Sequence, residues 1–262
     1  MFEAISIVAV ALSIRKEEVL AGLDMEIDER TGIRIESLLA ERKRGMPFAY
    51  LAKRKEFFSE DFYVDGRVLI PRPETEILVE AALGLLKEKP AMASLLDMGT
   101  GSGAIGLILA KKTGKHVLCV DISPEAIGVA QRNGETLGIS SRVSFVCSDL
   151  FAAMSNARFD MIVANLPYVS SEEWGSLMRD VRDHEPRLAL DGGQGGVAIY
   201  KRFVDGLPHH LVDTGYVLCE IGGREQANTI EGMFRKIGLR TVVKRDLSGN
   251  ERVVIGSWTG LS

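Results

Sequence analysis

Two stretches of this sequence hold residues whose types and spacing can do chemistry. The first is Asn165-Leu166-Pro167-Tyr168, directly after the apolar run Met161–Ala164. A planar nitrogen group, such as a carboxamide or an exocyclic amine, has two N–H donors and a poor lone pair. Two acceptors side by side can bind both hydrogens, and the Asn165 side-chain oxygen and the Leu166 backbone carbonyl are spaced to do so. Pro167 pushes Leu166 into an extended conformation, which aims that carbonyl outward. Tyr168 can stack on the planar group and face the positive charge that develops there. A site of this kind holds a nitrogen in line with an electrophile, so much of its catalysis is positioning. On its own the string also fits an Asx-type turn capped by proline.

The second stretch is Asp97-Met98-Gly99-Thr100-Gly101-Ser102-Gly103, at the end of the apolar run Ser94–Met98. Its glycines let the backbone turn sharply and approach a ligand closely. Gly101–Gly106 alone satisfies the dinucleotide fingerprint. Asp121 ends the next apolar run, 20 positions after Gly101, where a carboxylate can accept both ribose hydroxyls of an adenosine. A nicotinamide dinucleotide would place its pyrophosphate at the helix N-terminus, and Asp97 beside the loop would repel it. S-adenosylmethionine has no phosphate; it carries a sulfonium and an α-ammonium, which favour an acidic neighbour. Asp97 with its alternate glycines therefore tilts the reading from a dehydrogenase, which leaves Asn165–Tyr168 unexplained, to a methyltransferase. Asp97 also fits a helix N-cap or turn carboxylate.

The elements around these stretches must position them. Residues 1–50 read as helices, with Arg42-Lys43-Arg44 in a last turn, Gly45 as the cap and Pro47 as the stop. Asp65-Gly66 between Phe57–Val64 and Val68–Ile70 predicts a hairpin. A helix follows over Glu74–Lys89, acidic in its first turn and basic in its last. From Ser94 onward strands and helices alternate. Strands are expected at Ser94–Met98, His116–Ile122, Arg142–Cys147, Phe159–Ala164, Gly215–Ile221, Thr241–Arg245 and Arg252–Trp258. The connection Asp246–Asn250 is too short for a crossover helix, so the last strand runs antiparallel to its neighbour. Such alternation predicts an α/β fold, a doubly wound and mostly parallel sheet with its ligand at the carboxyl ends of the strands.

Length and composition exclude several classes. The chain has 262 residues, 46% apolar and 26% charged, which excludes intrinsic disorder, collagen and coiled coil as the overall class. A net charge of −4 argues against a protein that coats nucleic acid by bulk charge. Cys119, Cys147 and Cys219 cannot form a closed disulfide set and read as buried thiols in a reducing cytoplasm. His116, His184, His209 and His210 show no zinc-site spacing, so no metal is expected. His209-His210 reads as surface. The apolar run Ile5–Ile14 is too short to span a bilayer and reads as a core helix.

Taken together, the motifs resemble one family. Pro71-Arg72-Pro73-Glu74-Thr75-Glu76, Asp97–Gly103, Asp121, Ser148-Asp149-Leu150-Phe151, Asn165–Tyr168, Glu185-Pro186-Arg187-Leu188-Ala189-Leu190 and Asn250-Glu251-Arg252 stand in the order found in the peptide-chain release factor N5-glutamine methyltransferases, the HemK/PrmC family. The resemblance runs from about residue 30 to the end. It implies a helical substrate-docking domain (1–52), a β-hairpin linker (53–72) and a class I S-adenosylmethionine-dependent catalytic domain (73–262) whose seven-stranded sheet ends in an antiparallel strand. It implies methyl transfer to the glutamine side-chain amide of a release factor's Gly-Gly-Gln motif. By that resemblance Asp97, Gly99, Thr100, Gly101, Ser102, Gly103, Asp121, Leu150 and Asn165 hold the cofactor. Asn165, Leu166, Pro167 and Tyr168 bind the acceptor, bordered by Pro73 and Glu74; Asn165, Pro167 and Tyr168 are the catalytic set.

Two departures stand out. The family usually has proline where this chain has Leu166, so one fixed φ is lost. The helical segment also looks short. Gly192-Gly193-Gln194 spells the target tripeptide within this chain but reads as a turn-rich loop. Arg42–Arg44 and Lys53–Lys55 read as solvated basic faces. The alternative function is a nucleic-acid adenine-N6 methyltransferase, whose planar amine suits the same acceptors. It would need a flipped or unpaired base and a strongly basic groove, and nucleic acid is not the expected substrate.

Overall fold

The structure is a computed structural model that describes residues 2–22 and 26–258. The chain opens with four helices: α1 (Phe2–Leu12), α2 (Lys16–Ala21), α3 (Glu29–Lys43) and α4 (Phe48–Ala52). The Ile5–Ile14 run lies largely in α1, which buries Ile7, Ala9 and Ala11. The Asp28 carboxylate caps α3 by accepting the Thr31 N–H at 2.8 Å. At the other end Gly45 stops α3 as its sequence predicts. The Gly45 and Met46 amides turn back onto the Arg42 and Glu41 carbonyls. Among the described residues no helix is long and apolar enough to cross a membrane.

A hairpin follows, but not at Asp65-Gly66. It is β1 (Lys55–Phe57) paired antiparallel with β2 (Glu60–Phe62). Its two turn residues, Phe58 and Ser59, both have positive φ, 53° and 62°. A two-residue hairpin loop demands that geometry, and here it is met without Gly or Asn. The Phe58 N–H is fixed by Glu76 Oε1 at 2.8 Å. Asp65 instead makes an isolated turn, closed by the Val68 N–H on its carbonyl at 3.1 Å. Its carboxylate is taken up by Tyr63 and Arg67, which hold it well below the usual range. Residues 68–70 therefore run as irregular chain. Val64, Val68 and Ile70 pack with Tyr50 against Ala126 and Val129.

The remaining elements are α5 (Thr75–Glu88), β3 (Leu95–Met98), α6 (Ala104–Thr113), β4 (Val117–Asp121), α7 (Pro124–Thr136), β5 (Val143–Cys147), β6 (Phe159–Ala164), α8 (Arg179–His184), α9 (Ala198–His210), β7 (Leu211–Glu220), α10 (Arg224–Lys236), β8 (Arg240–Arg245) and β9 (Glu251–Ser257). The seven strands from β3 onward form one sheet in the order β5-β4-β3-β6-β7-β9-β8. Pairing is parallel from β5 to β7, and β9 runs antiparallel between β7 and β8. Both faces are covered, so the central strands read as unbroken apolar runs. Along β6, Met161 and Val163 face one core with Leu78, Val79 and Ile108. Ile162 and Ala164 face the other with Tyr200, Phe203 and Phe234.

Three details depart from the sequence reading. Cys147 is exposed at the end of β5, unlike buried Cys119 and Cys219. His210 is buried: its Nδ1 lies 2.8 Å from the Ala157 carbonyl and its ring stacks on Phe151 at 4.4 Å. The helix α9 gave no clear signal, because a glycine-rich loop precedes it and Pro208 lies inside its last turn.

Asn133 of α7 ties the chain at Tyr63 to the glycine loop. It accepts the Tyr63 N–H at 2.7 Å and donates to the Tyr63 and Ser102 carbonyls at 3.0 and 2.8 Å. It is only 1% exposed. Asn133→Ala orphans all three backbone groups, and we expect a loss of about 2–3 kcal/mol in denaturant unfolding. An unchanged midpoint would show the tie to be incidental.

Candidate active site

The chains leaving β3, β4, β5 and β6 converge on one cavity of about 290 Å³ at the carboxyl edge of the sheet. Its walls include Gly99–Ser102, Asp121, Leu150 and Asn165–Pro167. The outer wall is the irregular chain from Arg67 to Arg72. Glu185 pins that wall. Its carboxylate accepts the Ile70 N–H at 3.1 Å and the Arg72 guanidinium at 2.5 Å, and it is 5% exposed.

The glycine loop is held from below. The Gly99 and Thr100 amides reach the Val120 carbonyl at 2.8 and 2.9 Å. Gly99 has φ 77°, and a Cβ there would meet Leu166 Cδ2 at 3.1 Å and the Asn165 carbonyl at 3.3 Å. Only glycine lets the two motifs pass so closely. Asp97 lies beneath the loop and is fully buried. Its Oδ2 accepts the Thr100 hydroxyl at 2.6 Å and the Gly106 N–H at 2.9 Å, while Oδ1 has no partner among the described residues. Burial pushes its pKa up to about 6. Asp97 thus takes the capping role open to it in the sequence, holding the first turn of α6 from the end of β3.

Asp121 is braced too. Its Oδ2 accepts the Gly101 N–H at 2.8 Å and its Oδ1 the Ser123 N–H at 3.0 Å. Each oxygen keeps a lone pair for a hydroxyl. Burial raises its pKa against those backbone bonds. Leu150 sits in the left-handed region, φ 48°, with its carbonyl held by the Ser148 hydroxyl at 3.0 Å. Strained backbone of this kind clusters at ligand sites.

At the inner end, Asn165 Nδ2 donates to Thr75 Oγ1 at 3.3 Å. Leu166 is buried, and its N–H reaches the Tyr200 hydroxyl at 3.3 Å. Tyr168 does not line the cavity. Its ring packs over Gly222, and burial raises its phenol pKa. Its carbonyl accepts from Gln226 at 3.5 Å. The loop holding Gly192-Gly193-Gln194 braces this motif from behind: the Gly192 N–H donates to the Val169 carbonyl at 2.8 Å. Gly196, φ 67°, comes so close to the Tyr168 carbonyl that a side chain would collide with it.

The structure thus brings together Gly99, Thr100, Gly101, Ser102, Asp121, Leu150, Asn165, Leu166 and Pro167 around one cavity. Asp97 and Gly103 support it from behind, Gly103 as the residue that starts α6. Pro73 and Glu74 are exposed beside it, with Arg72 and Thr75 on the wall instead. Sequence reasoning missed Glu220, Tyr200 and Gln226. Glu220 did carry a signal: like Asp97 and Asp121, it is a carboxylate closing an apolar strand run.

A doubly wound sheet of this order, a glycine loop after its first central strand and a strand-ending aspartate on the second define a class I methyltransferase. Residues 74–194 match the family described as Methyltransferase small domain. A methyltransferase structure from Pyrococcus furiosus superposes with a TM-score of 0.56 at 17% identity, covering 85% of this chain and 97% of its own, a likeness of fold. A release factor glutamine methyltransferase of Geobacter sulfurreducens is 36% identical over 95% of this chain and 87% of its own length. Another, from Koribacter versatilis, is 41% identical over 89% of this chain and 81% of its own. The chain belongs to the release factor glutamine methyltransferase family, and its cofactor is S-adenosyl-L-methionine.

The residues present fit that cofactor: a buried carboxylate oxygen without a donor for its cationic end, a braced aspartate for its ribose, and no phosphate cradle required. Asp97 must be ionised to attract a cation, so cofactor affinity should rise as pH passes upward through about 6. Asp97→Asn should weaken binding about tenfold near neutral pH and flatten that dependence, as titration calorimetry would read. Equal pH dependence in both proteins would remove Asp97 from cofactor binding.

Proposed function

We propose that this protein transfers a methyl group to the side-chain amide nitrogen of the glutamine in the Gly-Gly-Gln motif of peptide chain release factors. One observation carries the reading beyond family membership. Asn165 Oδ1 and the Leu166 carbonyl stand at the inner end of the cofactor cavity, and no described donor reaches either. A primary carboxamide has the two N–H groups that such a pair takes. S-adenosylmethionine held there would supply an electrophilic methyl to the amide nitrogen that Asn165 and Leu166 orient, and the proton lost from that nitrogen would pass to solvent.

In this reading Gly99–Gly103 and Asp121 hold the cofactor, with Asp97 beneath and Leu150 beside the adenine. Asn165 and Leu166 accept the two amide hydrogens and orient the nitrogen. Pro167 stiffens the strap, and Tyr168, whose ring packs over Gly222 rather than into the cavity, braces it from behind. Pro73 and Glu74 border the approach. The helices α1–α4 form the docking region for the release factor, joined by the hairpin linker. Docking a protein needs no strongly basic groove, which accords with a net charge of −4. Nucleic acid is the second reading for the same reason.

The test incubates the purified protein with labelled cofactor and, separately, an unmodified release factor, DNA and ribosomal RNA. One added methyl should map to the Gly-Gly-Gln peptide; label confined to nucleic acid would overturn the proposal. Asn165→Ala should keep its cofactor affinity and lose about 100-fold in transfer rate. Wild-type turnover in that variant would place the acceptor site elsewhere.

A further inference from the structure

We propose that Glu220, acting with Thr75, is a positioning residue that locks the Asn165 carboxamide with its oxygen, and not its NH2, toward the acceptor. The inference rests on the function proposed above. A carboxamide is nearly symmetric in shape, and a half-turn about its last torsion exchanges O for NH2. With NH2 turned inward, the site would present donors to an acceptor that is itself all donor. Something must therefore break the symmetry, and it must lie behind Asn165.

Glu220 lies there. It ends β7, next to β6, where Ala164 pairs with Cys219. Its side chain is 2% exposed. Asn165 Nδ2 donates to Thr75 Oγ1 at 3.3 Å, and the Glu220 carboxyl lies near enough to both side chains for each to lower its pKa. An ionised carboxylate only accepts, so it can hold only the NH2 end of Asn165. The Thr75 hydroxyl passes its own hydrogen on and accepts from the same amide. Glu220 also holds the second acceptor residue. Its backbone carbonyl takes the Tyr200 hydroxyl at 2.6 Å, and that hydroxyl takes the Leu166 N–H at 3.3 Å. Meanwhile Glu220 Oε2 has no partner among the described residues. A buried carboxylate left half satisfied calls for an explanation beyond stability.

Protonation would open the lock, because a carboxyl O–H can be accepted by Asn165 Oδ1. Burial raises the Glu220 pKa to about 7; Thr75 and Asn165 oppose the shift, Glu74 adds to it, and Arg252 of β9 lowers it. The phenols of Tyr168 and Tyr200 also face this carboxyl. The acceptor-competent form is the ionised one, so turnover should rise with pH through about 7.

The experiment measures release factor methylation across pH at saturating cofactor, with cofactor affinity by calorimetry, for wild type, Glu220→Ala, Glu220→Gln and Thr75→Val. Glu220→Ala and Thr75→Val should bind cofactor normally and lose about 10- to 100-fold in kcat, with little change in KM for the release factor. Glu220→Gln cannot ionise and, like the protonated carboxyl, offers a donor as well as an acceptor. It should stay near the low rate of the protonated enzyme and lose the limb near neutral pH. Wild-type kcat in a Glu220→Ala or Thr75→Val protein that binds cofactor overturns the lock, as does a limb that persists in Glu220→Gln. If Glu220→Ala does not fold, as absent cofactor binding would show, Thr75→Val decides. A wild-type protein that leaves the release factor glutamine unmodified overturns the proposed function itself, and the lock with it.

Discussion

The register of β3 against its two neighbours sets where every candidate functional residue leaves the sheet. Met98 stands opposite Val120 on one side and Ala164 on the other. The glycine loop, Asp121 and Asn165 therefore emerge at one level, along one edge. A slip of one residue would send each side chain to the opposite face, moving Asp97 from beneath the loop and Leu96 or Met98 into its place. Both faces are dry and packed, so such a slip would bury a carboxylate among aliphatic side chains with none of its present donors. The apolar layers therefore act as a ruler for the site.

Given that ruler, the rest of the architecture serves rigidity. A reaction with no strong base depends on holding two groups in line, and small displacements are costly. The Asn165–Tyr168 strap is held at successive points by residues of β7, α9 and α10. Glu220 and Tyr200 hold Asn165 and Leu166, and Gln226 spans the Gly222 N–H at 2.7 Å and the Gly196 carbonyl at 2.9 Å behind Tyr168. The chain from Tyr63 to Arg72 closes the other wall, secured by Asn133 of α7 and by Glu185 after α8. Two buried carboxylates, Asp97 and Glu220, each keep one oxygen without a donor among the described residues. One lies beneath the glycine loop and the other behind Asn165.

How much of this was legible in the sequence depended on how local the cause was. The strands of the large sheet carry their own apolar runs, and α7 its own serine cap and leading proline. The glycine loop, Asp121 and Asn165–Tyr168 carry their own chemistry. The hairpin turn was misplaced because Phe58-Ser59 adopts positive φ under tertiary restraint from Glu76, whereas Asp65-Gly66 has the better local turn chemistry and no partner strand. Helix α9 was hidden by glycines whose reason is the close passage of Tyr168. Cys147 and His210 were misjudged because strand ends and helix ends look alike in sequence whether a neighbour covers them or not. Glu220, Thr75 and Gln226 act across elements, and no spacing along one segment announces that.

Leu166 shows how such cross-element contacts can take over a local restraint. The family usually has proline here, which fixes φ and has no N–H to satisfy. Leucine frees φ and adds a buried N–H, which costs about 1–3 kcal/mol if left unpaired. Here the N–H is taken by the Tyr200 hydroxyl, itself anchored on the Glu220 carbonyl. The leucine side chain is 3% exposed and packs toward Gly99, at the start of the cofactor loop. The restraint that a ring would impose within one residue is instead spread over a hydrogen bond and a packed contact. Pro167 still holds Leu166 extended from the far side. The Leu166 carbonyl keeps its direction because three neighbours, rather than its own covalent geometry, define it. In this chain the acceptor strap is coupled to β7 and to the cofactor loop more tightly than a second proline would require.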